Sequence, residues 1–357
     1  MKTVSVGGTS KVFSSGITLR EAIPLFFDSF DSELFTLTNI PNGEFLVTFN
    51  HNAKLYRRFL SFGGQPDRAV LIRLEPESVF PAQYGSRVTG KYGLVISPGS
   101  SRKPPENFLR IGWPYQYHLN PAHPESSDPS LVEILGADNR QVIFNIENWS
   151  KRNHLLSMVA ANKVSAIPAA NYSLRRKLAR SLPPNVLEVY GPLWKGSLFS
   201  KVQHRLAVLY ATLKQGSFPN IREIYGNLFQ TYGTAKGIIE NKHTLLQDSK
   251  FSLVVENSNS IVTEKIFDAI INAAIPIYIG PDMSEVGLPS DISIPVADSA
   301  GDILKIIQSM DSSSVGRYLS SMYAFLESEL FWTNWEAGAV YRRLATEIVG
   351  YMNGFIK

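Results

Sequence analysis

Residues Lys250–Gly280 read KFSLVVENSNSIVTEKIFDAIINAAIPIYIG. Phe251–Val255 is a short, continuous apolar run, the pattern of a strand buried on both faces of a parallel sheet. Glu256, Asn257 and Ser258 follow at its carboxyl end, where parallel α/β sheets hold their ligands. Thr263 is a good N-cap residue and opens a helix expected to run to Ala274. Ile275–Ile279 is a second apolar strand. Lys265 falls in the first helical turn, where the partial positive charge of the helix end opposes a cation by roughly 0.3–1 kcal/mol. A bound anion would remove that cost, and the N–H groups at a helix start already suit phosphate. Strand, polar triplet and the Glu264–Lys265 pair therefore point to a phosphate-bearing ligand. A solvated lysine with Glu264 as its dipole partner is the other reading.

The rest of the chain repeats the strand–helix alternation. Thr3–Val6, Gly43–Phe49, Ala69–Leu74 and Gly93–Ser97 read as strands, with helical spacing over Leu19–Phe30 and Ala53–Phe62. Pro98–Pro129 is rich in Pro, Ser, Asn and aromatic residues and reads as long loops around Phe108–Tyr117. Gln141–Ile146 is expected to be a weak strand, and the polar stretch Glu147–Asn153 a link between domains. A second series follows: a strand from Leu155, a basic helix over Tyr172–Leu182, a strand at Leu187–Tyr190, and a mixed, partly helical region from Lys195 to Asp248. The tail, Ser314–Asn353, is helical and aromatic. Such alternation implies α/β architecture with mostly parallel sheets.

Composition narrows the function classes. The chain has 357 residues, 44% hydrophobic and 18% charged, enough for two domains with real cores. A formal charge of +4 without a dense Lys/Arg stripe gives no sign of a nucleic-acid partner. The absence of cysteine excludes disulfides, thiolate metal sites and cysteine nucleophiles. The longest apolar stretch, Ala269–Ile279, is interrupted by Asn272 and Pro276 and falls short of the roughly 20 residues a membrane helix needs. No signal peptide is read at the amino terminus. The expected location is cytoplasmic or peripheral at a membrane. Gly7-Gly8 is not continued as Gly-x-Gly-x-x-Gly, which argues against a dinucleotide oxidoreductase. The histidines lack metal-ligand spacing, and no Asp-x-Asp triplet occurs.

The Lys250–Gly280 segment resembles the signature of the α1,3-fucosyltransferase family, family 10 of the glycosyltransferases. The matching residues are Phe251, Glu256, Asn257 and Ser258, then Val262, Thr263, Glu264 and Lys265, then Ile275, Pro276, Ile277 and Gly280. Ile261 stands where the family has Tyr, and the spacer after Ser258 is shorter. Upstream, Met158–Asn162 resembles the family's strand end, and Arg175, with Arg176 next to it, the arginine that grips the donor diphosphate. Glu75, with Glu77 as the other candidate, resembles the family's general base after a buried strand.

The resemblance implies a GT-B type α/β fold, two Rossmann-like domains facing a central cleft. Residues 1–150 would bind the acceptor. Residues 151–357 would bind the donor, with the last helices (Met322–Asn353) returning to the first domain. The implied activity is inverting transfer of L-fucose from GDP-fucose to a glycan hydroxyl, forming an α1,3 or α1,4 linkage. Glu75 would be the catalytic base. Arg175, Glu256, Asn257, Ser258, Thr263, Glu264 and Lys265 would bind the donor. No metal or other cofactor is expected, because arginine and lysine can neutralise the diphosphate. The competing readings are a transferase of the same architecture with another nucleotide sugar, and a GDP-sugar-binding protein without catalysis.

Overall fold

The computed structural model describes residues 2–8, 24–30, 35–99, 105–117, 131–165, 167, 170–214, 221–296 and 298–355. The chain forms two compact units, Met1–Pro114 with Leu330–Lys357, and Tyr115–Glu329. Each is built on a parallel six-stranded sheet, the α/β architecture expected from the sequence.

In the first unit the strands are β1 (Lys2–Gly8), β2 (Phe35–Thr38), β3 (Phe45–Phe49), β4 (Ala69–Ile72), β5 (Leu94–Ser97) and β6 (Phe108–Arg110), in the order β2-β1-β3-β4-β5-β6. The period-2 alternation of side chains divides the core in two. Phe45, Val47 and Phe49 of β3, with Val70 and Ile72 of β4, face one cluster. Leu46, Ala69 and Leu71 face the other, with Tyr56 and Phe59 of the helix Ala53–Ser61. That helix starts where expected because Asn52 Oδ1 accepts from the Lys54 and Leu55 amides. The first cluster is completed by the helix Ala337–Asn353, which contributes Val340, Leu344, Ile348 and Met352. Each such side chain stabilises the unit by about 1.5–3 kcal/mol when fully buried. Of the expected helix Leu19–Phe30, the described part is Pro24–Asp28; residues 19–23 lie outside the described residues.

In the second unit the strands are β7 (His154–Val159), β8 (Leu187–Tyr190), β9 (Ala235–Gly237), β10 (Ser249–Val255), β11 (Ile275–Ile279) and β12 (Ile294–Pro295), ordered β12-β11-β10-β7-β8-β9. Counted within the unit this is 6-5-4-1-2-3, the doubly wound order whose direction of winding reverses between the first and fourth strands. The reversal lies between β7 and β10, which pair in parallel through Phe251 and Leu156. The ligand position of such a sheet is the crevice beyond the carboxyl ends of those two strands.

Two local expectations are corrected. Gln141–Ile146 is not a strand, because Ala137–Ile143 is helical and Asn145 caps a further helix, Ile146–Ser150. Glu147–Asn153 is not a link between domains, because it docks on β10 within the second unit. Trp149 Nε1 donates to Lys250 O, and buried Arg152 donates to the carbonyls of Ser249, Ala273 and Ile143. The chain passes from the first unit to the second at Pro114–Tyr115 and returns at Leu330. Among the described residues no helix is long and apolar enough to cross a membrane.

Candidate active site

The second unit carries, at its strand reversal, the residues expected from the sequence to bind the donor. β10 ends at Val255, and the helix Glu264–Ile271 starts nine residues later with Thr263 at its N-cap position. The helix is shorter than expected. Ala273 takes a left-handed conformation (φ 50°), the Ala273 amide donates to Ile270 O and the Ala274 amide to Ala269 O, and this pair of bonds closes the helix.

Arg175 lies on the helix Tyr172–Ser181 that follows β7, and is only 2% exposed. Its Nε and one Nη donate to Val255 O at 3.1 and 2.6 Å, and the same Nη donates to Asn257 Oδ1 at 2.9 Å. Its guanidinium lies 5.0 Å from the ring centre of Tyr172, an aromatic that sequence reasoning did not single out. Arg175 thus fastens the end of β10 to the helix after β7, across the strand reversal. Arg176 points elsewhere and donates to Lys163 O. This separates the two arginines that the sequence left as alternatives. The loop is also tied through its backbone: the Asn171 amide donates to Asn257 O, and Ser258 forms a bridge with Ala170.

Glu256 is fully buried, with both carboxylate oxygens occupied. Oε1 accepts from the Thr263 amide at 2.9 Å and Oε2 from Thr263 Oγ1 at 2.6 Å. Burial pushes its carboxyl above the ordinary range, while Lys265 and the two Thr263 bonds pull it back. In this geometry both oxygens of Glu256 hold Thr263 in place. Thr263 occupies the N-cap position but makes no side-chain cap bond, since its hydroxyl serves Glu256. The helix start is therefore left without a side-chain cap, unlike the capped helix starts at Asn52 and Asn241.

Lys265 Nζ donates to Thr263 Oγ1 at 2.7 Å and to Glu264 Oε1 at 3.2 Å, and stands 3.7 Å from Glu256 Oε2. Burial alone would lower the lysine, but the two carboxylates outweigh it and raise it. Burial works against the charged form of Glu264 too, yet Lys265 and Lys242 hold its carboxyl well below the ordinary range. Glu264 keeps a side chain 41% exposed, against 15% for Lys265. The group therefore presents a charged carboxylate and a charged ammonium beside a helix start. Such a set can bind phosphate oxygens and sugar or ribose hydroxyls.

Beneath it lies a further pair that the sequence did not reveal. Buried Lys242 donates to Asp268 Oδ2 at 2.6 Å, and Tyr115 OH donates to Asp268 Oδ1 at 3.0 Å. Lys242 and Asp268 are 26 positions apart, so no local spacing could mark the contact.

The candidate bases lie in the first unit. Glu75 and Glu77 follow β4 and are both half-buried. The structure thus gathers Arg175, Glu256, Asn257, Ser258, Thr263, Glu264 and Lys265 at one strand reversal, and places Glu75 and Glu77 at the end of a strand of the other unit. Among the described residues no cluster of three or more His, Asp or Glu could hold a metal ion.

No protein-family model matches the chain, and no curated protein matches its sequence. Solved structures match along nearly all of it. A crystal structure of an α1,3-fucosyltransferase with GDP aligns with a TM-score of 0.51 at 15% identity, covering 99% of this chain and 89% of that one. Alr3699/HepE of Anabaena in complex with UDP aligns with a TM-score of 0.54 at 9% identity, covering 98% and 100%. An α-glucosyltransferase in complex with UDP and a DNA 13-mer gives a TM-score of 0.51 at 9% identity, covering 98% and 100%. At these identities the likeness speaks for the fold. With its two parallel six-stranded sheets, the chain has the GT-B fold of glycosyltransferases.

Proposed function

We propose that the chain is an inverting glycosyltransferase that moves L-fucose from GDP-fucose to a hydroxyl of a glycan acceptor, forming an α1,3 or α1,4 linkage. One observation carries the reading: Arg175, Lys265 and a helix start without a side-chain cap meet at the strand reversal of the second unit. The order of residues along Phe251–Gly280 supports the choice of donor.

In the reaction, the acceptor oxygen attacks the anomeric carbon of fucose as the bond from that carbon to the diphosphate oxygen breaks. Glu75 takes the acceptor proton. Arg175 and Lys265 stabilise the negative charge that builds on the departing GDP. Glu264 and Asn257 hold hydroxyls of fucose or ribose. The sugar passes through an oxocarbenium-like state, and attack opposite the leaving group turns the β-linked donor into an α-fucoside. Glu256 acts by fixing Thr263 and Lys265. With two side-chain cations beside the diphosphate, no divalent metal is required. GDP release from GDP-fucose is expected to proceed at the same rate in excess chelator; complete loss restored by manganese would refute this part of the proposal.

Thermal shift tests the donor site. GDP and GDP-fucose are expected to raise the melting temperature of the wild type, and Lys265→Ala and Arg175→Ala to lose most of that shift. Unchanged shifts in both variants would overturn the site. Ile261, fully buried where the family has Tyr, favours a second reading in which another nucleotide sugar is the donor. Faster hydrolysis of GDP-mannose or UDP-glucose than of GDP-fucose would select it. GDP binding without turnover, unaffected by Glu75→Ala, would instead select a non-catalytic sugar-nucleotide binder.

A further inference from the structure

The turn that carries Glu75 is held in an unusual way. Asn50, the residue after β3, has a left-handed backbone (φ 58°) and is buried. Its amide continues the sheet by donating to Ile72 O at 2.7 Å, and its carbonyl accepts from Thr48 Oγ1 at 2.8 Å. This conformation directs the side chain over the end of β4. There Asn50 Oδ1 accepts from the Leu74 amide at 3.1 Å, the Glu75 amide at 3.0 Å and Gln83 Nε2 at 3.2 Å.

Gln83 is fully buried and closes the ring: its Nε2 also donates to Glu75 O at 2.9 Å, and its Oε1 accepts from the His51 amide at 3.2 Å. Tyr84 OH adds a second bond to Glu75 O at 3.0 Å, and the Tyr84 ring lies over the buried guanidinium of Arg73, 4.2 Å from its centre. Both backbone polar groups of Glu75 are thus fixed by side chains from two other segments.

Asparagine is among the few non-glycine residues that adopt the left-handed region readily, so the turn gains a side-chain acceptor there at little backbone cost. A strand end facing solvent could satisfy its backbone groups with water; here two buried side chains, Asn50 and Gln83, do so instead. We infer that Asn50 and Gln83 are positioning residues that fix the Glu75 turn for proton abstraction. The inference rests on the reading of Glu75 as the base. It adds that the carboxylate is preorganised from β3 and from the segment Pro81–Tyr84 rather than from its own strand. Neither residue touches a reacting atom. Their effect is on placement, where an error of about 1 Å can cost on the order of 100-fold in rate.

The experiment measures GDP release from GDP-fucose, GDP-mannose and UDP-glucose (as UDP), with the melting temperature and the GDP-induced shift of each variant. Asn50→Gly accepts the left-handed backbone but removes the acceptor oxygen, and Gln83→Met removes the donor at similar volume. Each is expected to lower kcat by about 10- to 100-fold on the donor that is turned over, with KM within about threefold and the GDP shift retained. Asn50→Asp keeps an acceptor and tolerates φ 58°, and is expected to keep at least about a third of kcat. Wild-type kcat in both Asn50→Gly and Gln83→Met, or a loss matched by loss of the GDP shift, would overturn the inference. Wild-type turnover by Glu75→Gln would bring down the base assignment instead. Absence of turnover of all three donors by the wild type would bring down the transferase reading and the inference with it.

Discussion

Lys265 shows how one residue can be costly for its helix and valuable for its site. The helix dipole opposes it by roughly 0.3–1 kcal/mol, and Glu264 and Glu256 offset that cost in the folded chain. Gly280 is constrained by the same group from the other side. A Cβ added there would overlap the Tyr278 ring and hydroxyl and lie 2.9 Å from Glu256 Cγ. Neither neighbour can retreat, because Tyr278 is buried and Glu256 is fastened to Thr263. Gly280→Ala is expected to destabilise the second unit by about 2–4 kcal/mol and to weaken GDP binding. Thermal unfolding with and without GDP checks both, and a wild-type melting temperature would show that the glycine is not needed. The sequence marked Lys265 through its position in the helix. It gave no sign that Glu256 would be locked on Thr263, because that bond depends on how the loop folds back.

At the scale of elements, the end of β3 holds a titratable group with a defined consequence. His51 is buried with Nδ1 2.7 Å from Tyr92 OH, and burial, with Lys91 nearby, lowers its pKa from 6.5 to about 4. The unfolded chain therefore binds this proton near pH 6.5 and the folded chain only near pH 4. The neutral imidazole contributes fully to stability above pH 6.5, and the contribution is lost as pH falls toward 4. It amounts to on the order of 3 kcal/mol. His51→Gln is expected to flatten the decline in melting temperature across that window. Equal declines in variant and wild type would show that other groups set the acid limb. Element types were legible where a bounded apolar run or a single period dominated, as in β10 and β11 for the first and the helix Ala53–Ser61 for the second. They were not at Gln141–Ile146, where Gly136 and Asn145 start helices that a short apolar run does not betray.

At the scale of the molecule, the first unit depends on a helix that starts 227 residues downstream of its last strand. Ala337–Asn353 supplies Val340, Leu344, Ile348 and Met352 to the cluster around β1, β3 and β4. Leu344→Ala is expected to cost about 2–5 kcal/mol, read as a fall in the unfolding midpoint of that unit. A loss below about 1 kcal/mol would mean that the helix adds little to the core. The same dependence explains why a boundary read from polar composition at Glu147–Asn153 differs from the actual passage at Pro114–Tyr115. Trp149 and Arg152 make that polar stretch part of the β10 packing.

The sequence by itself determined the strand–helix–strand unit from Phe251 to Ile279, the α/β class, and the kinds of residue gathered at the end of β10. These follow from local periodicity and helix-end chemistry, which act over a few residues. Tertiary structure alone decided the strand order, the partners that separate Arg175 from Arg176, the Lys242–Asp268 pair, and the hold of Asn50 and Gln83 on Glu75. Each depends on burial and hydrogen bonding between residues far apart in the chain, and such partners leave no period in the sequence that joins them.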